Sequence, residues 1–588
     1  MTANVIRELF EQGKYQELLD LLSRWEADGT FDTFTEKEQI ECVYYKSYSL
    51  VFGLQQREEG LRIILTARKT YAAPSNRSLL LALLTQQIFT LCRMNRLDEA
   101  FEVITEGDAI LESLTAEERE TGAYWIAYFE QRKGYYYMFK KDSDTALEHT
   151  YRALALREGL DDLYATAHAL NSLGEIYSNR GELDTALDYY QQALSIVKQL
   201  GNSEAIAYIS SLIGGIYRDK GEWNSALDYY QRTLSEYEKI AIPFRIAYTL
   251  NLIADLYWVK GELDTALEYN RRSLSLAKSV ELFGWCFSLF AWIYFSKGEL
   301  DTALDYIQQS LSFRGKIGNP IFSLKINFLS ALIYHAQGEL DKALEQLQQC
   351  LSESEQMGGF WMSVALFELV RVSLDQNNPL QAQEYLTQLQ QLQTHTSNPW
   401  IHLQSRLAEA FVLKQNPRIR EKFQAQTILE QIVEEEVLWV DLTALAMVQL
   451  CELLIEEVKF YGEPDVWEEA KALINKLYAM AQDQHSTALM CEALLLQAKF
   501  AAVDGNLPQA QNCYEQARLM ATEKNLTALL AKVTTEQKRF EAEFETWQKL
   551  IESNVSLQER LNQAEMEDYL HDVQKFVKSW MHAGKTRK

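Results

Sequence analysis

The stretch Gly181-Glu182-Leu183-Asp184-Thr185-Ala186-Leu187 returns unchanged as Gly261-Glu262-Leu263-Asp264-Thr265-Ala266-Leu267 and again from Gly298. Near copies begin at Gly221 (Gly-Glu-Trp-Asn-Ser-Ala-Leu), Gly338 (Gly-Glu-Leu-Asp-Lys-Ala-Leu) and Lys141 (Lys-Asp-Ser-Asp-Thr-Ala-Leu). The six starts, 141, 181, 221, 261, 298 and 338, lie 40, 40, 40, 37 and 40 residues apart. A fixed period of this length marks a repeat architecture, in which each unit buries its apolar face against its neighbours.

Each copy reads as a turn between two helices. Glycine accepts the left-handed conformation that ends a helix, and the Asp or Asn that follows is placed to open the next one. Nine residues before each alanine stands a tyrosine: Tyr137, Tyr177, Tyr217, Tyr257, Tyr294 and Tyr334. Three residues before the tyrosine comes a small residue, Gly134, Gly174, Gly214, Ala254, Ala291 or Ala331. Seven after the alanine comes another, Ala153, Ala193, Thr233, Ser273, Ser310 or Cys350. Small residues at helical offsets let antiparallel helices approach closely, and the tyrosine is expected to fill the gap between neighbouring pairs.

These positions resemble the tetratricopeptide repeat, whose signature is a small residue, a Tyr three on, an Ala nine further and a small residue seven beyond. The longer period is similar to that of kinesin light chains and of maltose-regulon-activator-type sensor domains. The resemblance implies an all-α fold, a right-handed superhelical solenoid of antiparallel helix pairs. Residues 121–360 form the regular array. Residues 1–120 hold divergent copies at Gly13 and Asn95. Residues 361–522 hold degenerate copies at Asn377 and Gly505, with Ala425 and Ala470 in the alanine role.

From residue 523 the grammar changes. Leu526, Leu530, Val533, Phe540, Phe544, Trp547, Ile551 and Leu561 keep a 4-3 spacing, interrupted by Gln537, Asn554 and Gln558. The pattern predicts one long C-terminal helix over 526–561, either a coiled coil that makes a homodimer or a cap on the last repeat. The tail from 575 to 588 is basic.

Composition bounds the function. Of 588 residues, 47% are hydrophobic, and no proline occurs between Pro74 and Pro243. A net charge of -26 repels phosphate backbones, so nucleic acid is not an expected partner. The first residues lack a signal-peptide pattern, and the densest apolar run, 79–84, is too short to cross a bilayer. The seven cysteines are scattered and form no CxxC pair, which suits a reducing, cytoplasmic setting and no zinc site. His395 and His402 lie close in sequence but have no third ligand nearby, so no metal is expected. Phosphate-loop, dinucleotide, HExxH and GxSxG motifs are absent, and neither cofactor nor catalysis is expected.

What remains is surface. In proteins of similar repeats the first helix of each unit lines a concave groove for an extended peptide or a partner helix. Counted from each tyrosine, the groove-facing set includes Asn171, Glu175, Arg218, Asn251, Asp255, Trp258, Trp292 and Phe295. A groove asparagine can clamp a peptide backbone with both donor and acceptor, and exposed aromatics make binding hot spots. The sequence therefore predicts a non-catalytic scaffold or adaptor for a protein or peptide partner. A ligand- or peptide-responsive sensor is the alternative.

Overall fold

The computed structural model describes residues 4–570 apart from 13, 54–55, 75, 159, 161, 261, 278, 314–319, 355–358, 395–397, 436–439, 484–485, 524–525, 565 and 567–569. The described residues form helices in consecutive antiparallel pairs, with no strand among them. Two compact units divide the chain, Met1–Thr249 and Leu250–Lys588.

The first unit begins with α1 (Asn4–Glu11), α2 (Tyr15–Ala27), α3 (Glu36–Tyr48), α4 (Arg57–Thr70), α5 (Leu79–Arg93), α6 (Leu97–Ser113) and α7 (Ala116–Thr121). Three regular hairpins follow: α8 (Ala123–Phe139) with α9 (Ser143–Glu158), α10 (Leu163–Arg180) with α11 (Leu183–Gln199), and α12 (Ser203–Asp219) with α13 (Trp223–Lys239).

The turn chemistry is as the glycine implies, but the aspartate has another job. Gly181 sits at φ +81° while the amide of Glu182 donates to the Tyr177 carbonyl, closing the α10 terminus. Glu182, not Asp184, is the residue that opens α11, and its side chain makes no capping bond. Asp184 lies in the first turn, where the helix dipole favours an anion, and accepts from Lys220 Nζ at 2.9 Å. Asp144 does the same with Arg180 at 2.9 Å, so these aspartates tie successive hairpins rather than cap helices.

The tyrosines serve their own hairpin as well as the gap between pairs, where the Tyr177 and Tyr151 hydroxyls meet at 3.0 Å. Tyr177 stacks on Tyr189 and Tyr217 on Tyr229, each at 5.5 Å, so the ring packs across its own hairpin. The alanines Ala146, Ala186 and Ala226 have no exposed surface. Clearance at the crossing is small: a Cβ on Gly174 would stand 2.6 Å from the Tyr190 ring, and one on Gly214 would stand 2.7 Å from Tyr230.

The second unit repeats the scheme. Val280–Ser296 pairs with Leu300–Leu311, and Pro320–Ala336 with Leu340–Ser354. The less regular copies fold the same way, and Ala382, Ala425, Ala470 and Ala510 are as completely buried as the alanines of the regular array. The seven cysteines are buried.

The single long helix expected over 526–561 is not formed. Thr527–Ala542, Phe544–Glu552 and Leu557–Gln563 are three helices, with Asn554 in the left-handed region at φ 55°. Their apolar seam turns inward: Val533, Phe540, Trp547 and Leu561 are buried, and Phe540 packs on Tyr514 at 5.3 Å. Arg560 Nη1 donates to the Val503 carbonyl at 2.6 Å. Of the two uses expected for the seam, joining two chains or capping the last repeat, these contacts are those of a cap on the last hairpin. The basic tail lies outside the described residues.

Two adjacent glycines of α12 give a direct test of this packing. Gly214→Ala places a methyl against the Tyr230 ring, whereas a Cβ on Gly215 would meet nothing closer than the Tyr230 hydroxyl at 3.9 Å. Urea unfolding is expected to show Gly214→Ala destabilised by about 1–3 kcal/mol through overpacking. Gly215→Ala should be stabilised by roughly 0.5–1 kcal/mol, because alanine suits a helix interior better than glycine.

Candidate functional site

The first unit holds a half-open cavity of about 380 Å³. Its floor is the first-helix face of the hairpins. α8 supplies Arg132, Tyr135 and Met138; α10 supplies His168, Asn171 and Glu175; α12 supplies Glu204 and Tyr208. Its other side comes from the N-terminal helices and the π-helical turn Ser49–Gly53, through Tyr48, Phe52, Phe89 and Arg93.

The N-terminal helices are held there by long-range polar ties. Arg7 pairs with Asp162 at 3.1 Å. The Tyr15 hydroxyl donates to Glu204 at 3.2 Å, and the Asn202 amide donates to the Glu11 carbonyl. Rings reinforce the ties: Phe10 meets Tyr164 at 5.6 Å and Phe52 meets Tyr208 edge-on at 5.6 Å.

A buried chain of hydrogen bonds orients one wall. Arg157 Nη2 donates to Gln131 Oε1 at 2.5 Å, which fixes the amide so that Gln131 Nε2 points at His168 Nδ1, 3.1 Å away. His168 Nδ1 is therefore an acceptor and its proton sits on Nε2, 3.4 Å from the Tyr48 oxygen. Burial, with Arg132 and Arg157 close by, pushes the His168 pKa down to about 3, so the ring is neutral. Tyr48 receives the His168 proton and keeps its own O–H to donate elsewhere.

The carboxylates behave differently. Asn171 Nδ2 and the Tyr208 hydroxyl both donate to Glu175 Oε1, at 3.0 and 2.9 Å. Burial raises the Glu175 pKa against the pull of these two bonds. Burial likewise raises that of Glu204, opposed by Arg245, whose Nη2 lies 3.5 Å from Glu204 Oε1 without hydrogen-bond geometry.

Of the residues expected from sequence, Asn171 and Glu175 thus stand together in the cavity. Arg218 pairs with Asp219 at 2.8 Å and does not line it. The other five lie in the second unit. Asn251 is buried and donates to Asn270 at 3.1 Å, and Asp255 is buried. Trp258, Trp292 and Phe295 are 2%, 3% and 3% exposed, with Trp258 tilted on Trp292 at 5.3 Å and its indole donating to Ser296 at 2.9 Å. These rings pack into the core and do not offer the open faces expected of them. His395 lies outside the described residues, and among those described no cluster of His, Cys, Asp or Glu suits a metal ion. No described helix is long and apolar enough to cross a membrane.

Sequence reasoning passed over Arg132, His168, Glu204 and Tyr208. The available signal was charge in the wrong place: Arg132, Arg157 and Glu204 sit on helix faces whose other members are apolar core. Tyr48, Phe52 and Arg93 gave no signal, because no repeat register relates them to the hairpins.

The fold and its hairpin grammar define an α-helical repeat protein. More particularly, the array contains tetratricopeptide repeats: residues 132–285 match the MalT-like TPR region, and residues 324–357 match the tetratricopeptide repeat. Comparison with curated proteins gives no match. Among solved structures, the chain is similar to a Rap protein complexed with competence and sporulation factor, at 16% identity and a TM-score of 0.46, covering 63% of this chain and 99% of that one. It is similar to the apo quorum sensor NprR from B. thuringiensis at 14% identity and a TM-score of 0.47, covering 61% of this chain and 100% of that one. Aspartyl phosphate phosphatase F from Bacillus subtilis matches at 17% identity and a TM-score of 0.43, covering 61% of this chain and 95% of that one.

The neutral His168 makes a pH prediction. Its folded pKa lies below the ordinary value of 6.5, so on acidification the unfolded chain takes a proton that the folded chain refuses. This contribution is complete above about pH 6.5 and is lost as pH falls toward 3. Between pH 7 and pH 5 the loss amounts to at most about 2 kcal/mol. Glu175 and Glu204, raised in the folded state, act with the opposite sign. Comparing His168→Gln with the parent cancels them, and urea titrations at the two pH values should show the smaller acid loss in His168→Gln.

Proposed function

We propose that this chain is a ligand- or peptide-responsive binding protein, and that the cavity of its first unit is the receptor site. The observation that carries this reading is that the half-open cavity is walled from two sides. Positions that an open groove would present to an extended partner, Tyr135, Met138, Asn171, Glu175 and Ser178, line a cavity whose far side is built by the N-terminal helices. A volume of about 380 Å³ suits a small molecule or a few residues of peptide rather than a long helix. The sensor reading is therefore favoured over an open-groove scaffold.

The mechanism is recognition without bond chemistry. A ligand that touches both walls adds contacts between α1–α5 and the hairpins, and stabilises that arrangement by its differential affinity. A protein partner can then read the outer face of the N-terminal helices as a reporter of occupancy.

The test is a thermal-shift screen of the full chain against pools of short peptides and metabolites. A ligand at about 100 times its Kd should add roughly 2.7 kcal/mol of stability. Ser178→Trp, which places an indole in the cavity lining, should abolish the shift while leaving the unliganded melting unchanged. A shift that survives in Ser178→Trp would move the site elsewhere on the chain.

A further inference from the structure

We infer that the cavity recognises the free carboxylate of a small apolar ligand, with Arg132 and Arg93 as its counter-charges and Tyr48 as an oriented O–H donor. The inference deepens the receptor reading above and rests on it.

The argument starts from charge. Arg132 is 2% exposed, lines the cavity, and has no hydrogen-bond partner at Nε or Nη2. Arg93 lines the same cavity and its Nε is also without a partner. A buried guanidinium that lacks an anion carries an uncompensated desolvation cost. Two other buried cations of this unit do face carboxylates, Arg245 with Glu204 at 3.5 Å and Lys133 with Asp108 at 2.9 Å, whereas Arg157 donates to the Gln131 and Ala165 carbonyl oxygens at 2.5 and 2.6 Å. Among the described residues no carboxylate forms an ion pair with Arg132 or Arg93.

The neighbouring carboxylates do not make up the deficit. Glu204 is engaged by Arg245 and by the Tyr15 hydroxyl. Glu175 accepts from Asn171 and Tyr208, and burial favours its neutral form. Arg132 instead lies 4.4 Å from the Phe89 ring centroid, an arrangement that orients the guanidinium plane without neutralising it. The Arg157–Gln131–His168 chain then leaves Tyr48 with a proton to donate.

Phe52, Phe89, Tyr135, Phe139, Ile209 and Leu212 make up much of the remaining lining, beside the small polar Ser172, Ser178 and Asn179, and suit an apolar body behind the charged end. A carboxylate answers this donor set because guanidinium and carboxylate match in a bidentate fork. It can belong to a short peptide's C-terminus or to a free amino-acid derivative. The two share the chemistry and differ in length.

The experiment is calorimetric titration of the full chain with four probes: leucyl-phenylalanine, its C-terminal amide, N-acetylphenylalanine and N-acetylphenylalanine amide. At least one acid should bind, tenfold or more tightly than its amide, and which acid it is distinguishes a peptide terminus from an amino-acid derivative. Arg132→Gln and, separately, the less buried Arg93→Gln should each collapse the acid-to-amide ratio toward one. The comparison on the unaltered chain needs no variant, so a folding failure of Arg132→Gln leaves it intact. Equal binding of acid and amide, lost in Ser178→Trp, would overturn the carboxylate assignment while the receptor reading stands. Absence of binding by either acid would overturn the assignment as well, and a hit from the wider screen would still support the receptor reading.

Discussion

The crossing point inside each hairpin allows almost no clearance, and the rest of the molecule follows from that constraint. With Ala186 and Ala226 wholly buried and no room for a Cβ at Gly174 or Gly214, the two helices of a pair are pressed together at one fixed height. The pairs then have one way to stack, and the Asp184–Lys220 and Asp144–Arg180 ties hold successive units in phase. Fixed phase is what lets side chains from α8, α10 and α12 converge. Arg132, His168, Glu175 and Tyr208 come from three hairpins and still form one wall.

That wall is costly in the absence of anything to fill it. Buried arginines, buried carboxylates and a neutral histidine would be replaced by leucine and phenylalanine if stability alone mattered, because well-packed apolar groups of similar size serve a core at least as well. The polar chain from Arg157 through Gln131 to His168 is fully directional, with each donor and acceptor fixed by the one before. The surrounding hairpins supply the rigidity that such a network needs, so the strain of maintaining it falls on packing elsewhere.

The fold was legible because the repeat encodes it locally. Turn glycine, packing alanine and stacking tyrosine lie within one hairpin, and each is read from its own neighbourhood. Even the weak copies disclosed themselves, since Ala425 and Ala470 keep the buried place although their surroundings drift. The C-terminal segment misled because its 4-3 seam is real but short-range. Nothing in that seam says whether the partner is a second chain or residues such as Tyr514 and Val503 of the same one. The site was half legible for a similar reason. Asn171 and Glu175 follow from register, whereas Tyr48 and Arg93 reach the cavity by tertiary folding that no periodicity records. Trp258 and Trp292 show the reverse error, register pointing to a groove where the rings pack on each other.

The contact between Tyr15 and Glu204 has a consequence for biosynthesis. As the chain leaves the ribosome, α1 and α2 emerge before α10 and α12, which carry the partners of Phe10 and Tyr15. Until those are made, Phe10 lacks Tyr164 and Tyr15 lacks Glu204, and such pairings of distant segments form slowly. The hairpins, whose contacts are local, can fold in order as they appear. The nascent protein therefore passes through a stage in which a finished stack of repeats trails a loose aromatic head. That stage is the one most exposed to aggregation and most dependent on chaperones.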